Sequence, residues 1–380
     1  MLLGRIALAV VGFVALVSVS INVVRTLLVP RGYISGESKI AYRLVTFVFR
    51  LIGRWIKEYQ RRDRLLAYEG AGILLAILGT WVVSYLVSFT LLLLPSISSP
   101  FEAFREAGGS MLTLGFVSTT SVWPTLVDFL AGGVGLVVIT IQIAYLPTLY
   151  SAYNRRETEV TLLSSRAGEP PWGPELLARS RLSGLIDDLP SFYRVWERWA
   201  ADVQESHVSY PVLTRFRSPQ HSTSWVVALL AVCDSAALYD SVSPNHCPIE
   251  SRLALRSGFL CFRHLSKNMG NEVDEDPSPM DPVELGFQDF QYGYRRLAEV
   301  GFPLERTAEE AWPHFKGWRV NYEKSAYWLA EVLDVVPAEW AGGRRGGDAP
   351  IGFVFLKDRT PEDPNAEQGV PFTPIPKDLE

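Results

Sequence analysis

Three long apolar stretches near the start of the chain constrain its fold more than any other feature. They run through Ile6–Val24, Gly70–Leu94 and Phe129–Tyr150, and none contains a charged side chain. A helix rises ~1.5 Å per residue, so ~20 apolar residues cross the hydrocarbon core of a bilayer. The sequence therefore predicts three transmembrane helices. The alternative for the first stretch is a signal peptide, but only Arg5 precedes it and VSVSINVV offers no A-x-A cleavage site.

Charge divides the chain into two parts. Up to Asn154 there are 12 Lys and Arg against 7 Asp and Glu, a net charge of +5, whereas the remainder has 24 against 34, a net of −10. An apolar, mildly basic part followed by an acidic part predicts a membrane domain joined to a soluble domain. The overall charge of −5 argues against a nucleic-acid partner, and three cysteines cannot form a disulfide framework.

Basic residues also predict the orientation. Ten lie between the first two apolar stretches, Arg155 and Arg156 follow the third, and the segment between the second and third has only Arg105. By the positive-inside rule, residues 25–68 and everything after Asn154 face the cytoplasm. The short N-terminus and residues 95–128 then lie outside. These features predict a multi-pass protein of the cell (inner) membrane.

Five cations of the first cytoplasmic segment form a predicted helical stripe. At ~100° per residue they fall within about 60° of one another on a helix. They are Arg43, Arg50, Arg54, Lys57 and Arg61. We expect a basic amphipathic helix at the inner membrane surface, with these side chains facing anionic lipid headgroups. The alternative is a voltage-sensing helix, but no acidic transmembrane partners accompany it.

The external segment before the third stretch carries the most informative motif. Ser99 is a predicted N-cap and Pro100 the first residue of a short helix. Behind this helix come Thr113, Leu114, Gly115, Phe116 and Val117. The order of span, short helix, T-x-G-aromatic and span resembles the pore domain of the potassium-channel superfamily, in its bacterial two-transmembrane form with a pore loop. In that family a second glycine and an aspartate follow the aromatic residue, where this chain has Val117 and Ser118.

This resemblance implies a cation channel. The threonine hydroxyl and the carbonyls of residues 113–117 would bind a monovalent cation such as potassium. Four chains would surround the pore as a homotetramer, with the third span lining its axis. Gly135 would allow close packing or a bend, and Pro147 a kink, so both are expected at the gate.

Val117 leaves alternatives open, because a β-branched residue disfavours left-handed backbone. The filter has a different shape or ion selectivity, or the segment is an ordinary loop of a non-conducting, membrane-anchored receptor or adaptor.

The acidic part is predicted to form a bundle of helices. Four apolar residues recur at i, i+4, i+7 and i+11 and predict a buried helix face: Phe192, Trp196, Trp199 and Val203. A helical pattern also spans 305–335. The stretch 341–380 is rich in Gly, Pro and charge, which predicts disorder.

No catalytic motif is found in this part. It lacks a glycine-rich phosphate loop, G-x-S-x-G and H-E-x-x-H, so we expect no enzyme and no cofactor, with a membrane-tethered enzyme as a less favoured class. Cys247, Cys261 and His264 could bind zinc, but without C-x-x-C, buried core cysteines are favoured. Arg215 and Arg217 could bind an anionic ligand, but solvated surface charge is favoured. The domain is expected to bind a cytoplasmic protein or a small-molecule regulator.

The predicted fold class is thus an all-α membrane protein, with three transmembrane helices, a re-entrant pore loop and a cytoplasmic α-helical bundle. The predicted domains are a transmembrane helix (1–30), a basic interfacial helix (31–68), a pore-type domain (69–154), a cytoplasmic helical domain (155–340) and a disordered tail (341–380).

Overall fold

A computed structural model of the chain describes residues 2–27, 29, 36–115 and 121–342. Over these ranges it is helical and contains no strand. The α-helices are α1 (Leu2–Leu27), α2 (Gly36–Gly53), α3 (Tyr59–Leu66), α4 (Glu69–Leu93), α5 (Pro100–Met111), α6 (Val122–Ala167), α7 (Gly173–Leu182), α8 (Leu189–Ser209), α9 (Trp225–Val242), α10 (Ile249–Asn268), α11 (Phe287–Glu299), α12 (Ala308–Arg319) and α13 (Glu323–Val332).

The chain forms two compact units. Unit 1 contains Met1–Arg155 together with Glu205–Arg217, and unit 2 contains Arg156–Gln204 and the chain from Ser218 onward. The division falls inside α6 and inside α8. Residues 205–217, which the sequence placed in the helical domain 155–340, therefore belong to unit 1. They include a short 3-10 helix, Pro211–Arg215.

Helix α4 is the centre of unit 1, with α1, α2 and α5 packed around it. Ile73, Trp81, Phe89 and Leu93 are completely buried along its length. The side of α4 that carries these residues is buried in the unit, whereas other apolar side chains of the helix are exposed. The second apolar stretch of the sequence is thus the core of the unit.

Polar side chains join the first turn of α2 to the middle of α4. Trp81 donates from Nε1 to Ser38 Oγ at 3.0 Å, and Ser38 donates to Asn22 Oδ1 of α1 at 3.3 Å. Ser84 donates to Glu37 Oε2 at 2.7 Å. Such hydrogen bonds hold apolar helices together at defined positions. Helix α2 is therefore packed along α4.

The predicted stripe of five cations on one helix is wrong. Helix α2 ends at Gly53, and Trp55 and Ile56 donate to carbonyls only three residues back, which tightens the chain into a turn. Glycine is a poor helix former, and the next helix begins only at Tyr59. Two of the cations lie on α2, two in the connection and one on α3: Arg43 and Arg50, Arg54 and Lys57, and Arg61. The segment 31–68 thus contains two helices in its described part.

Four helices in the described ranges are long and apolar enough to cross a membrane, which is compatible with a multi-pass membrane protein. They are Leu3–Leu27, Tyr59–Leu93, Val122–Ala167 and Trp225–Val242. The first three contain the apolar stretches recognised in the sequence. The fourth is α9, and all of its residues are buried inside unit 2 beneath α7, α10, α12 and α13. Its apolar surface is therefore already covered by protein.

Arg319 of α12 is completely buried in the core of unit 2. Its guanidinium donates to Asp234 of α9, to Glu323 Oε1 at 2.8 Å and to the Trp340 carbonyl at 2.6 Å. Burial acts to lower the pKa of Arg319, but Asp234, Tyr327, Tyr322 and Glu323 outweigh it and hold that pKa well above its ordinary value. Burial raises the pKa of Asp234 to about 6, so the pair is ionised at neutral pH, and each charge depends on the other.

The helical pattern over 305–335 belongs to two helices, α12 and α13. At the break, the Asn321 amide donates to the carbonyls of Gly317 and Trp318 at 3.3 and 3.1 Å. A side chain that bonds these carbonyls competes with continued helix.

The predicted core face of α8 is confirmed, because Phe192, Trp196, Trp199 and Val203 are all buried. Except for Ala341 and Gly342, the predicted tail lies outside the described residues.

We expect Asp234→Asn to destabilise unit 2 by about 3–5 kcal/mol, because it leaves the buried Arg319 charge without its partner. The matched control is Lys267→Ala, which breaks the solvent-exposed pair with Glu275 and should change little. Thermal unfolding of the full chain in detergent measures both. Equal shifts of the unfolding temperature would show that the buried pair does not support the core.

Candidate pore region

Helix α5 begins as the sequence predicted. Ser99 is its N-cap, and the Ser99 hydroxyl accepts a hydrogen bond from the Glu102 amide at 3.4 Å. Pro100 occupies the first turn, where its missing N–H has no cost. The start of the short helix between α4 and α6 is thus fixed by local residues, and both predicted roles are confirmed.

Helix α5 ends in a Schellman motif centred on Thr113. The Leu114 amide donates to the Gly109 carbonyl at 2.8 Å, and the Thr113 amide donates to the Ser110 carbonyl at 3.2 Å. Thr113 has φ of +56° and its hydroxyl donates to the Leu112 carbonyl at 2.8 Å. Glycine usually occupies this position, and a β-branched residue there costs about 1–3 kcal/mol. The turn after α5 is therefore strained.

The structure describes three of the five predicted filter residues. Thr113, Leu114 and Gly115 are all exposed, and Gly115 has φ of +67°, a conformation that favours glycine. Phe116 and Val117 lie outside the described residues. The described part of the segment thus has left-handed backbone at two of its three positions.

Helix α6 lies in close contact with the end of α5. A Cβ built at Gly135 would lie 2.1 Å from the Met111 carbonyl oxygen, so only glycine fits there. Two turns before Gly135 on α6, Asp128 Oδ1 accepts a hydrogen bond from the Ser110 hydroxyl at 2.7 Å. Gly135, predicted as a gating hinge, is thus at a helix contact, and α6 is continuous through it and through Pro147.

Two acidic side chains lie together beside this contact. Glu106 of α5 is buried, and Asp128 of α6 is close enough to act on it electrostatically. The end of α5 therefore has acidic surroundings, and no basic residue lies in its last turn.

Residues 205–217 pack against α6 on both sides of Pro147. The ring of Tyr210 meets the ring of Tyr145 edge to face at 5.5 Å between centroids. Phe216 contacts Tyr150 in the same way at 6.4 Å. The helix is therefore held by aromatic contacts at the place where the sequence predicts a gate.

The prediction that Arg215 and Arg217 are solvated surface charges is wrong. Arg215 is buried, lies 3.4 Å from Glu69 Oε1 and donates from Nε to the Tyr42 hydroxyl at 3.0 Å. Arg217 donates to Asp63 Oδ1 at 2.5 Å. The chain returns to unit 1 at this point, and its arginines pair with acids at the start of α4 and in α3.

One long face of α6 is apolar and exposed in the single chain. Its exposed apolar residues are Leu126, Phe129, Leu130, Leu136, Val137, Ile139, Ile143 and Leu146. The opposite face, with Val127, Ala131 and Val138, is buried in unit 1. An apolar surface of this extent is covered by lipid or by another protein surface in a stable state.

The cysteines of unit 2 do not form a metal centre. No group of three or more His, Cys, Asp or Glu side chains able to hold a metal occurs in the described residues, so Cys247, Cys261 and His264 are not brought together. Burial raises the pKa of Cys247 to about 12 and also raises the pKa of Cys261. These thiols are protonated at neutral pH, whereas a metal binds the thiolate.

No protein family, curated protein or solved structure matches this chain. The function of the candidate pore region must therefore be inferred from the residues of this chain alone.

We expect Gly135→Ala to lower the thermal stability of unit 1, because the new methyl group collides with the Met111 carbonyl and separates α5 from α6. Gly133→Ala is the control, since a Cβ at Gly133 meets nothing within 4 Å and alanine favours a helix by up to about 1 kcal/mol. Thermal unfolding of the two variants in the same detergent makes the comparison. If both variants have the same unfolding temperature, the close contact is not essential for the stability of unit 1.

Proposed function

We propose that this chain is the subunit of a homotetrameric cation channel in the cell membrane, with residues 113–117 as its ion path. The observation that carries the proposal is the segment between α4 and α6. Helix α5 ends there in left-handed backbone at Thr113 and Gly115. Irregular backbone of this kind is tolerated at membrane depth where it lines a cavity or is covered by protein.

The charges around the segment favour a cation. The C-terminal end of a helix carries a partial negative charge of about half an elementary charge. The end of α5 adds the acidic pair of Glu106 and Asp128, and its last turn contains no basic residue. A cation near Thr113 would be stabilised, and an anion would be repelled.

Exposure of the segment supports assembly. One chain supplies one loop, which cannot surround an ion, and Thr113, Leu114 and Gly115 are exposed in the single chain. The exposed face of α6 supplies apolar surface that a second copy can cover. Four copies around one axis would bring four loops together and place this face of α6 toward the axis or a neighbour.

Unit 2 is proposed to regulate the pore in response to a cytoplasmic protein or a small molecule. Helix α6 runs unbroken from the pore region through Pro147 and past the division between the units at Arg155. We expect such regulation to act through this connection. In the proposed orientation the N-terminus is outside, unit 2 is cytoplasmic, and exposed Arg43, Arg54 and Arg61 lie near anionic headgroups of the inner leaflet.

A non-conducting receptor or adaptor is the second candidate. Its supporting observation is the Thr113 hydroxyl, which donates to the Leu112 carbonyl within the turn. Val117 also supports this candidate, because the potassium-channel superfamily, which the segment resembles, has its second glycine at this position. In this alternative α5, the turn at Thr113 and α6 contribute only to packing.

The main test is potassium flux from liposomes that contain the purified full chain. Gly115→Ala should reduce flux at least tenfold, because alanine is strained at φ of +67° although space for its methyl group is open. The matched control is Gly79→Ala in α4, where the space is equally open and φ is not positive. The control should retain wild-type flux.

Native mass spectrometry of the same samples gives the number of subunits. A monomer under all conditions would exclude conduction through this loop. A tetramer that carries no current, but conducts potassium selectively after Val117→Gly, would support the receptor for the natural sequence.

A further inference from the structure

An apolar groove lies between the start of α1 and the end of α4. Its volume is about 430 Å³, within the usual range of small-molecule sites. Its walls include Ile6, Val10, Phe13, Leu92, Pro95 and Trp123. Ser96 is the only hydroxyl-bearing residue among the lining side chains, so the groove suits a hydrocarbon chain better than a polar ligand.

The walls of the groove are held in place by a hydrogen bond. Trp123 donates from Nε1 to the Leu92 carbonyl at 3.0 Å. Leu92 is in the last turn of α4, where backbone carbonyls lack partners within the helix. The indole ring is therefore fixed by a carbonyl that needs a donor, and the groove is formed before any ligand enters.

A single cation adjoins the groove. Arg5 precedes the lining residue Ile6, and its guanidinium donates to the Ser98 hydroxyl at 3.3 Å and to the Ser98 carbonyl at 3.2 Å. A guanidinium has five N–H donors, so three remain after these two bonds. Arg5 forms no ion pair with any described residue. Its charge is thus available to an anion at the end of an apolar groove.

We propose that this groove binds a phospholipid, with one acyl chain along its walls and the phosphodiester at Arg5. The apolar residues of α1 around the groove are exposed, as expected for a helix that meets lipid. The uncompensated charge of Arg5 favours an anionic headgroup, because the ammonium of a zwitterionic headgroup would be repelled. Tryptophan and arginine are also residue types typical of a membrane interface. The site requires α1 and α4 to lie in a bilayer, but it does not depend on ion conduction.

The test uses the full chain, incorporated in vesicles of equal phosphatidylglycerol and phosphatidylethanolamine and then extracted in mild detergent. Native mass spectrometry should find one phospholipid per subunit, enriched in phosphatidylglycerol. Ala9→Trp, which fills the groove, should reduce bound lipid at least tenfold, and Ala9→Leu should reduce it less. Ala7→Trp is the control, since Ala7 is exposed on α1 and does not line the groove.

A second pair of variants tests the headgroup. Arg5→Gln should reduce the preference for phosphatidylglycerol at least fivefold. Arg105→Gln should leave it unchanged, because Arg105 is exposed on α5, which does not line the groove. An unfolding temperature close to that of the wild type establishes that a variant is folded.

Three results would overturn the proposal. The first is unchanged lipid binding in both folded Ala9 variants. The second is an unchanged headgroup preference in Arg5→Gln. The third comes from a photo-reactive side chain placed at position 13 instead of Phe13. Cross-linking to a second copy of the chain would show that the groove is a subunit interface. Cross-linking to phospholipid would support the site. Because each readout is lipid and not current, the outcome is separable from that of the flux experiment.

Discussion

The geometry of the candidate pore region, residues 100–135, depends on the close approach of α6 to the end of α5 at Gly135. The Met111 carbonyl occupies the space that a side chain at position 135 would need, so α6 and the end of α5 approach each other closely. The bond from Ser110 to Asp128 fixes the same turn from the side. The last carbonyls of a helix need partners, and here amides of the following turn supply them. The strained backbone at Thr113 is thus held by contacts on two sides.

Local chemistry explains which features could be predicted from sequence. The apolar stretches and the Ser99–Pro100 start of α5 depend on neighbours in the chain, and they were predicted at the right places. The cationic stripe failed because a constant 100° per residue was extended across Gly53, where the helix ends. The turn at Thr113 was not expected to be a Schellman motif, since a threonine in left-handed conformation is rare.

Long-range pairs could not be predicted in the same way. Arg217 and Asp63 are 154 positions apart, and Arg319 and Asp234 are 85 apart. A signal existed for each: Asp63 and Glu69 are acids in a basic part of the chain, and Asp234 follows an apolar run, 225–233, in α9. An acid in such a place needs a cationic partner. The sequence indicates that need but not which of many arginines meets it.

The placement of residues 205–217 in unit 1 has a consequence for biosynthesis. The ribosome releases α1 to α6 well before Arg215 and Arg217, and the start of unit 2 emerges in between. Until those arginines have been synthesised, Glu69 and Asp63 have no cationic partner from residues 205–217 and must remain hydrated. Folding of the first helices and completion of their contacts with residues 205–217 are therefore separate events, and translation has to proceed past residue 217 before the second can occur.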